Sequence, residues 1–263
     1  MRVGLLGKKL SHSLSPNIHN FIYKKFNLNL NYELFEVEEN EVNNFKAYML
    51  ENNIRAVNIT IPYKKIFMDS LDSISENAKK IGAINLMYIQ NNKFYGDNTD
   101  YYGFEYCLKK NNIDVKNKKI YILGKGGAAS AVETVLKSLA ATDINYLFRK
   151  DRKSKIEFKE DLSGDILINT TPVGMYPDIC GKIVPTEIIS KFKVAIDLIY
   201  NPLQTEFLKT ATLFNLKAIN GLEMLIEQAI KTDEILFNKK FDDSLREELK
   251  IYLENLFLGA KNE

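Results

Sequence analysis

Short apolar runs alternate with segments of helical period almost from end to end of this chain. "RVGLL", "NYELFEV", "RAVNITI", "IYILG", "INYLF", "DILIN" and "VAIDLIY" read as strands, and "SPNIHNFIYKKF", "EVNNFKAYMLENN" and "YYGFEYCLKKNN" read as helices. That order restricts the fold to an α/β class in which helices cover parallel sheets. The helix at Ser15 carries Ser15 as its expected N-cap and Pro16 in its first turn, and Val42, Phe45 and Met49 fall on one side of the next. Helical pieces are expected across 64–80, and "AINLMYIQ" and "KFYG" read as a hairpin joined by Asn91-Asn92. "LKAIN" is the last expected strand, ahead of helices at 222–237 and 242–257. With 263 residues, 45% of them apolar, the chain can bury one large core or two modest ones.

Other classes are disfavoured. The net charge of +2 gives no global nucleic-acid footprint, and the local run "RKDRKSK" at 149–155 is short and interrupted by an acid. No apolar run reaches the roughly 18 residues that a spanning helix needs. The two cysteines, Cys107 and Cys180, form neither a redox pair nor a metal spacing, and no metal site is expected. With no signal-like start, the expected compartment is the cytoplasm.

The segment "ILGKGGAASAVETVLKSLA" runs from a strand through a glycine turn into a helix. That context, more than the glycines, presents backbone N–H groups to a pyrophosphate. The competing reading is an ordinary tight turn. NAD sites place an acid at the end of the next strand, about 20 residues on. Here Phe148-Arg149-Lys150 stand there, which suits a 2′-phosphate and favours NADP; Asp151 and a solvated charge run are the counterweights.

In open α/β sheets ligands bind beyond the carboxyl ends of strands. Those ends in the first half carry Ser11, His12, Ser13 and Ser15, then Thr60 and Lys64, then Asn85, then Asn98, Thr99 and Asp100. Hydroxyls, an amide, an amine and a carboxylate suit a small ligand with several hydroxyls and a carboxylate. Each residue singly has a structural reading as cap, turn former or strand residue. Together, beside a nucleotide loop, they read as a site. His12 and His19 are assigned no chemistry.

The chain resembles the shikimate dehydrogenase family through "SHSLSPNIHN", "NITIPYK", "GAIN", "GDNTD", "GKGGAASA", "NTTPVGM", "DLIYNPLQTEFL" and "NGLEMLIEQA", in that order. The resemblance implies NADPH-dependent, reversible reduction of 3-dehydroshikimate to shikimate in aromatic (chorismate) biosynthesis. It implies an α/β substrate domain with a mainly parallel sheet over 1–101, to which helices of 222–263 return, and a Rossmann-type NADP-binding domain over 102–221. By the same resemblance Lys64 and Asp100 are catalytic. Ser13 and Ser15 bind the substrate carboxylate with help from Tyr200, and Thr60, Asn85, Asp100 and Gln228 hold the ring hydroxyls. Gly124, Lys125, Gly126, Gly127 and Ala128 cradle the pyrophosphate, Phe148, Arg149 and Lys150 face the 2′-phosphate, and Glu76, Leu198 and Gly221 lie on the nicotinamide side. Two departures from the family pattern, Lys125 for alanine and Phe148-Arg149-Lys150 for Asn-Arg-Thr, add charge near the phosphates. The partner implied is a small molecule, with neither nucleic acid nor membrane, and assembly as a homodimer stays open. A quinate or dual quinate/shikimate dehydrogenase using NAD(P), and a non-catalytic nucleotide-binding protein, are the competing functions.

Overall fold

The computed structural model describes residues 1–149, 151 and 156–259. The chain divides into two compact units, Met1–Tyr102 with the stretch from Ile226 onward, and Gly103–Leu225.

The first unit holds a six-stranded sheet in the order β2-β1-β3-β5-β6-β4. Its strands are β1 (Arg2–Gly7), β2 (Tyr32–Glu36), β3 (Ile54–Ile59), β4 (Ser73–Ile74), β5 (Leu86–Gln90) and β6 (Lys93–Asp97). β1 pairs in parallel with β2 and β3, and β4 with β6, whereas β5 runs antiparallel to β3 and β6. The antiparallel turn-back follows from the hairpin: Asn91 and Asn92 have φ of 50° and 58°, as a two-residue type I′ connection requires. Asparagine tolerates that left-handed backbone better than other side chains. Helices α1 (Ser15–Lys25), α2 (Phe45–Glu51) and α3 (Glu76–Ile81) belong to this unit. Phe35, Phe45, Met49, Val57, Ile59, Tyr63, Phe67 and Met87 share its main core. The expected one-sided placement of Val42, Phe45 and Met49 holds, since all three are buried there.

Residues 64–80 hold helical pieces as expected, a 3-10 turn at Met68–Ser70 and the start of α3, with the unforeseen β4 between them. Strand β4 is only two residues long, too short to show a period of two, and it exists because β6 offers it a free edge. Ser15 is not a helix cap. Leu14 is already helical, with φ −86° and ψ −1°, so the helix starts one residue early, and Ser13 Oγ accepts the Ser15 N–H at 3.2 Å.

The second unit carries a five-stranded sheet in the order β11-β10-β9-β7-β8, parallel throughout. Its strands are β7 (Lys119–Leu123), β8 (Asp143–Leu147), β9 (Ile166–Asn169), β10 (Val194–Asp197) and β11 (Lys217–Ile219). Helix α4 (Asp100–Lys110) begins in the first unit and continues into the second, and α5 (Gly127–Ser138), α6 (Thr186–Ile189) and α7 (Glu206–Leu213) alternate with the strands. β7 and β9 are almost wholly buried, as strands covered on both faces must be. The order reverses at β7, flanked by β8 and β9, which makes its carboxyl end a topological switch point.

Helices α8 (Leu222–Phe237) and α9 (Asp243–Gly259) close the chain. α9 lies against α1, with the Phe21 and Tyr252 rings 4.9 Å apart and Lys25 Nζ 2.5 Å from Glu248 Oε2. No helix among the described residues is long and apolar enough to cross a membrane.

Candidate active site

In the first unit, Lys64 follows β3 across the Thr60–Tyr63 turn, in which Tyr63 N donates to Thr60 O at 2.9 Å. Its own carbonyl accepts from Ile84 N at 2.8 Å, so the backbone beneath the amine is tied to the segment that leads into β5. The Lys64 ammonium donates to Asp100 Oδ2 at 2.5 Å. Both side chains are mostly but not wholly covered, 19% and 14% exposed, which leaves the pair reachable by a ligand. Asp100 is the first residue of α4, where the helix dipole favours a carboxylate.

The other carboxylate oxygen is held as well. Asn85 Nδ2 donates to Asp100 Oδ1 at 2.9 Å. The orientation of that amide is fixed from behind, because Asn85 Oδ1 accepts from Thr99 N at 2.6 Å and from Thr99 Oγ1 at 3.2 Å. With both acceptor positions so used, the amide nitrogen must face Asp100. Thr99 Oγ1 also lies 3.5 Å from Gln228 Oε1 on α8. The structure therefore brings Lys64, Asp100, Asn85 and Gln228 into one connected group. Ser13 and Ser15 are joined to each other at the start of α1, where Ser13 Oγ accepts the Ser15 N–H. Thr60 sits just past β3, part-buried, with its methyl close to Gly7. Glu76 opens α3, is exposed and pairs with Lys79 at 2.8 Å.

Thr99 is one of several polar residues at strand ends. Its place at the hub of the amide contacts depends on its contacts with Gln228 and Thr232, 129 and 133 residues away, which no local pattern displays.

In the second unit the glycine turn lies at the carboxyl end of β7. Gly124 has a φ of +102°, and a side chain there would meet Thr170 Oγ1 at 2.9 Å, so both conformation and space require glycine. Gly126 differs: its backbone is extended and a Cβ would meet nothing within 4 Å. The space over Gly126 is thus open toward the start of α5, whose cap residue, Gly126 itself, supplies no side-chain hydrogen bond. The first N–H groups of α5 are left for a ligand, and Gly127 and Ala128 are those first residues. A pyrophosphate fits this cradle. Lys125 Nζ stands 4.6 Å over the Phe148 ring at the end of β8, and Arg149 is exposed beside it. Lys150 lies outside the described residues.

Beyond β9 and β10 a second polar knot forms. Asp197 is fully buried and accepts from Thr205 Oγ1 at 2.6 Å, Asn169 Nδ2 at 3.0 Å and Ile199 N at 3.1 Å. Burial pushes its carboxyl up to about 6, and the three hydrogen bonds oppose the rise. The knot fixes the loop bearing Leu198 and Tyr200. Gly221 packs against it so closely that a Cβ would come 2.0 Å from Leu198 O. Leu198 and Gly221 are thus neighbours, and burial raises the Tyr200 phenol. Asp197 and Asn169 carried one sequence signal, a lone polar residue in or at the end of an otherwise apolar strand.

Residues 5–87 match the family described as shikimate dehydrogenase substrate binding domain. The chain is 45% identical to the shikimate dehydrogenase (NADP(+)) of Clostridium beijerinckii, over 97% of this chain and 98% of that protein. Among solved structures, shikimate dehydrogenase 1 from Peptoclostridium difficile superposes with a TM-score of 0.89 at 40% identity, covering 98% of this chain and all, 100%, of that one. The Thermus thermophilus shikimate 5-dehydrogenase, solved in complex with NADP(H) and shikimate, gives 0.83 at 29% identity over 95% of this chain and 98% of that one.

Proposed function

The chain belongs to the shikimate dehydrogenase family, and from that membership we propose how its residues divide the work of an NADP-dependent oxidoreductase. The enzyme catalyses the reversible reduction of 3-dehydroshikimate to shikimate, a step toward chorismate. The single observation that carries the assignment of roles is the Lys64–Asp100 pair, 2.5 Å apart, with Asn85 holding the second carboxylate oxygen.

A carbonyl that accepts a hydride becomes an alkoxide, and a positioned acid lowers the barrier by supplying a proton as the charge develops. Bound NADPH supplies the hydride. Lys64 donates a proton from its ammonium to the carbonyl oxygen; in the reverse direction its amine removes the proton from the hydroxyl. Asp100 aims Nζ through Oδ2 and is itself held through Oδ1. Thr60, Asn85, Asp100 and Gln228 hold the ring hydroxyls, and Ser13, Ser15 and Tyr200 hold the carboxylate. Gly124 to Ala128 would cradle the pyrophosphate, with Lys125, Phe148, Arg149 and Lys150 toward the 2′-phosphate and Glu76, Leu198 and Gly221 toward the nicotinamide. On this reading the substrate domain is 1–101 with the helices of 222–263, and the cofactor domain is 102–221. The compartment we assign is the cytoplasm, and the assembly to test, by light scattering, is a homodimer.

The test is a set of initial rates of cofactor reduction with shikimate and quinate, each with NADP and NAD. Rates dominated by shikimate with NADP are expected. Comparable rates with quinate or NAD would move the enzyme to the dual-specificity reading, and no turnover by folded protein would remove the assignment.

A further inference from the structure

Behind the Lys64–Asp100–Asn85 group lies a buried layer of polar side chains that the reaction does not use directly. Asn58 interrupts the apolar run of β3 and is only 6% exposed, and Thr232 on α8 is 1% exposed. Buried polar groups at such positions are costly unless fully paired, and these are paired to each other. Asn58 Nδ2 donates to Thr232 Oγ1 at 3.0 Å and to Asn85 O at 3.2 Å, while Asn58 Oδ1 accepts from the Tyr32 phenol at 2.7 Å. Thr232 Oγ1 gives its proton to Gln228 O, one turn earlier on α8, at 3.0 Å. It also lies 3.3 Å from Thr99 Oγ1. With the Thr232 proton committed to Gln228 O, Thr99 is the donor in that contact or keeps its proton on Asn85 Oδ1.

One hydroxyl on α8 thus touches two other elements that carry the site, β3 through Asn58 and the β6–α4 corner through Thr99, while its bond to Gln228 O stays within α8. The chain of contacts is continuous from the Tyr32 phenol, through Asn58, Thr232, Thr99 and Asn85, to Asp100 and Lys64. It ends on the groups assigned to the proton.

The next residue on α8 does a separate task. Asp233 is fully buried and meets His19 Nδ1 at 2.9 Å and the Tyr23 hydroxyl at 3.1 Å, both on α1. His19 in turn stacks on Tyr32, with ring centroids 4.1 Å apart and planes within 2°. Asp233 docks the helix to α1 through contacts that do not involve Thr232.

We propose that Thr232 is a positioning residue, whose hydroxyl holds Asn58 and Thr99 against α8, and through Thr99 sets the Asn85–Asp100–Lys64 group in its working geometry. The inference rests on the reading of this group as the shikimate site. Misplacement of a catalytic group by a fraction of an ångström lowers turnover far more than it lowers stability.

The experiment compares Thr232→Val, which keeps the shape and removes the hydroxyl, with Thr232→Ser, which keeps the hydroxyl and removes the methyl. Thr232→Ala serves if the valine variant fails to fold. Leu249→Ala, a truncation in the buried core of α9, controls for destabilisation alone. For each, kcat, KM for shikimate and Tm are measured, with calorimetric binding of shikimate to the cofactor-free enzyme. Loss of two buried hydrogen bonds predicts that the hydroxyl-free variants fall about tenfold in kcat, with weaker shikimate binding, while the serine variant stays within about threefold of wild type. Leu249→Ala should lower Tm and leave kcat and KM in place. Wild-type kinetics in both hydroxyl-free variants overturn the proposal whatever happens to Tm, and so does an equal loss in the serine variant, which would assign the effect to methyl packing. Absence of shikimate turnover in the wild type would instead defeat the underlying site reading.

Discussion

The candidate sites of the two units are built by opposite means. The first builds its site from side chains that hold one another: Lys64, Asp100, Asn85 and Thr99 each have a named partner within 3.2 Å. The second builds its glycine turn from backbone and empty space, with Gly124 at φ +102° and nothing within 4 Å of a Cβ on Gly126. A ring of hydroxyls that must be oriented for a proton transfer needs directional side chains with fixed rotamers. A pyrophosphate needs only N–H groups and close approach, which the peptide itself supplies. The first site is therefore sensitive to the loss of atoms and the second to their addition.

Lys64→Ala tests the side-chain half of that contrast most severely. Loss of the proton donor should lower kcat by about a thousandfold with little change in KM, read from steady-state rates. Near-normal turnover would take Lys64 out of the chemistry. The knot behind Leu198 tests whether the second unit has any comparable dependence on a side chain. Asp197 holds its proton more tightly folded, near 6, than its ordinary value of 3.8 allows. As pH falls through about 6 toward 3.8, the wild type should therefore gain stability relative to Asp197→Asn, by up to about 3 kcal/mol. Denaturant melts of both proteins across that range check the sign; a parallel pair of curves would show that the carboxyl titrates as in the unfolded chain.

The backbone half is tested by adding one methyl. Gly126→Ala should leave Tm unchanged, because the Cβ meets open space, and should raise the NADP Kd about tenfold by filling the cradle. Unchanged NADP binding, measured by calorimetry, would move the pyrophosphate away from this turn. The smallest effect is expected from Ser13→Ala, a few-fold rise in KM for shikimate with kcat retained. An unchanged KM would leave the carboxylate to Ser15 and Tyr200.

The sequence by itself determined the parts that depend on near neighbours. The alternation of apolar runs and helical periods gave the class of fold, the Asn91-Asn92 pair gave the hairpin, and "LGKGGAAS" gave the turn between β7 and α5. These are set by backbone preferences over a few residues, which are visible in a linear string. Tertiary structure alone decided the rest. It started α1 at Ser15 and so removed that serine from capping, drew Ser73 and Ile74 into an edge strand, and turned β5 antiparallel to β3. It also joined Asn58 to Thr232 and His19 to Asp233, separations of 174 and 214 residues. Contacts of that range leave no period or motif behind. Their only local trace is a polar residue where an apolar one would be expected, as at Asn58 in "AVNITI" and Asp197 in "VAIDLIY". Burial makes such a residue costly until a partner arrives, and only the fold determines which partner it is.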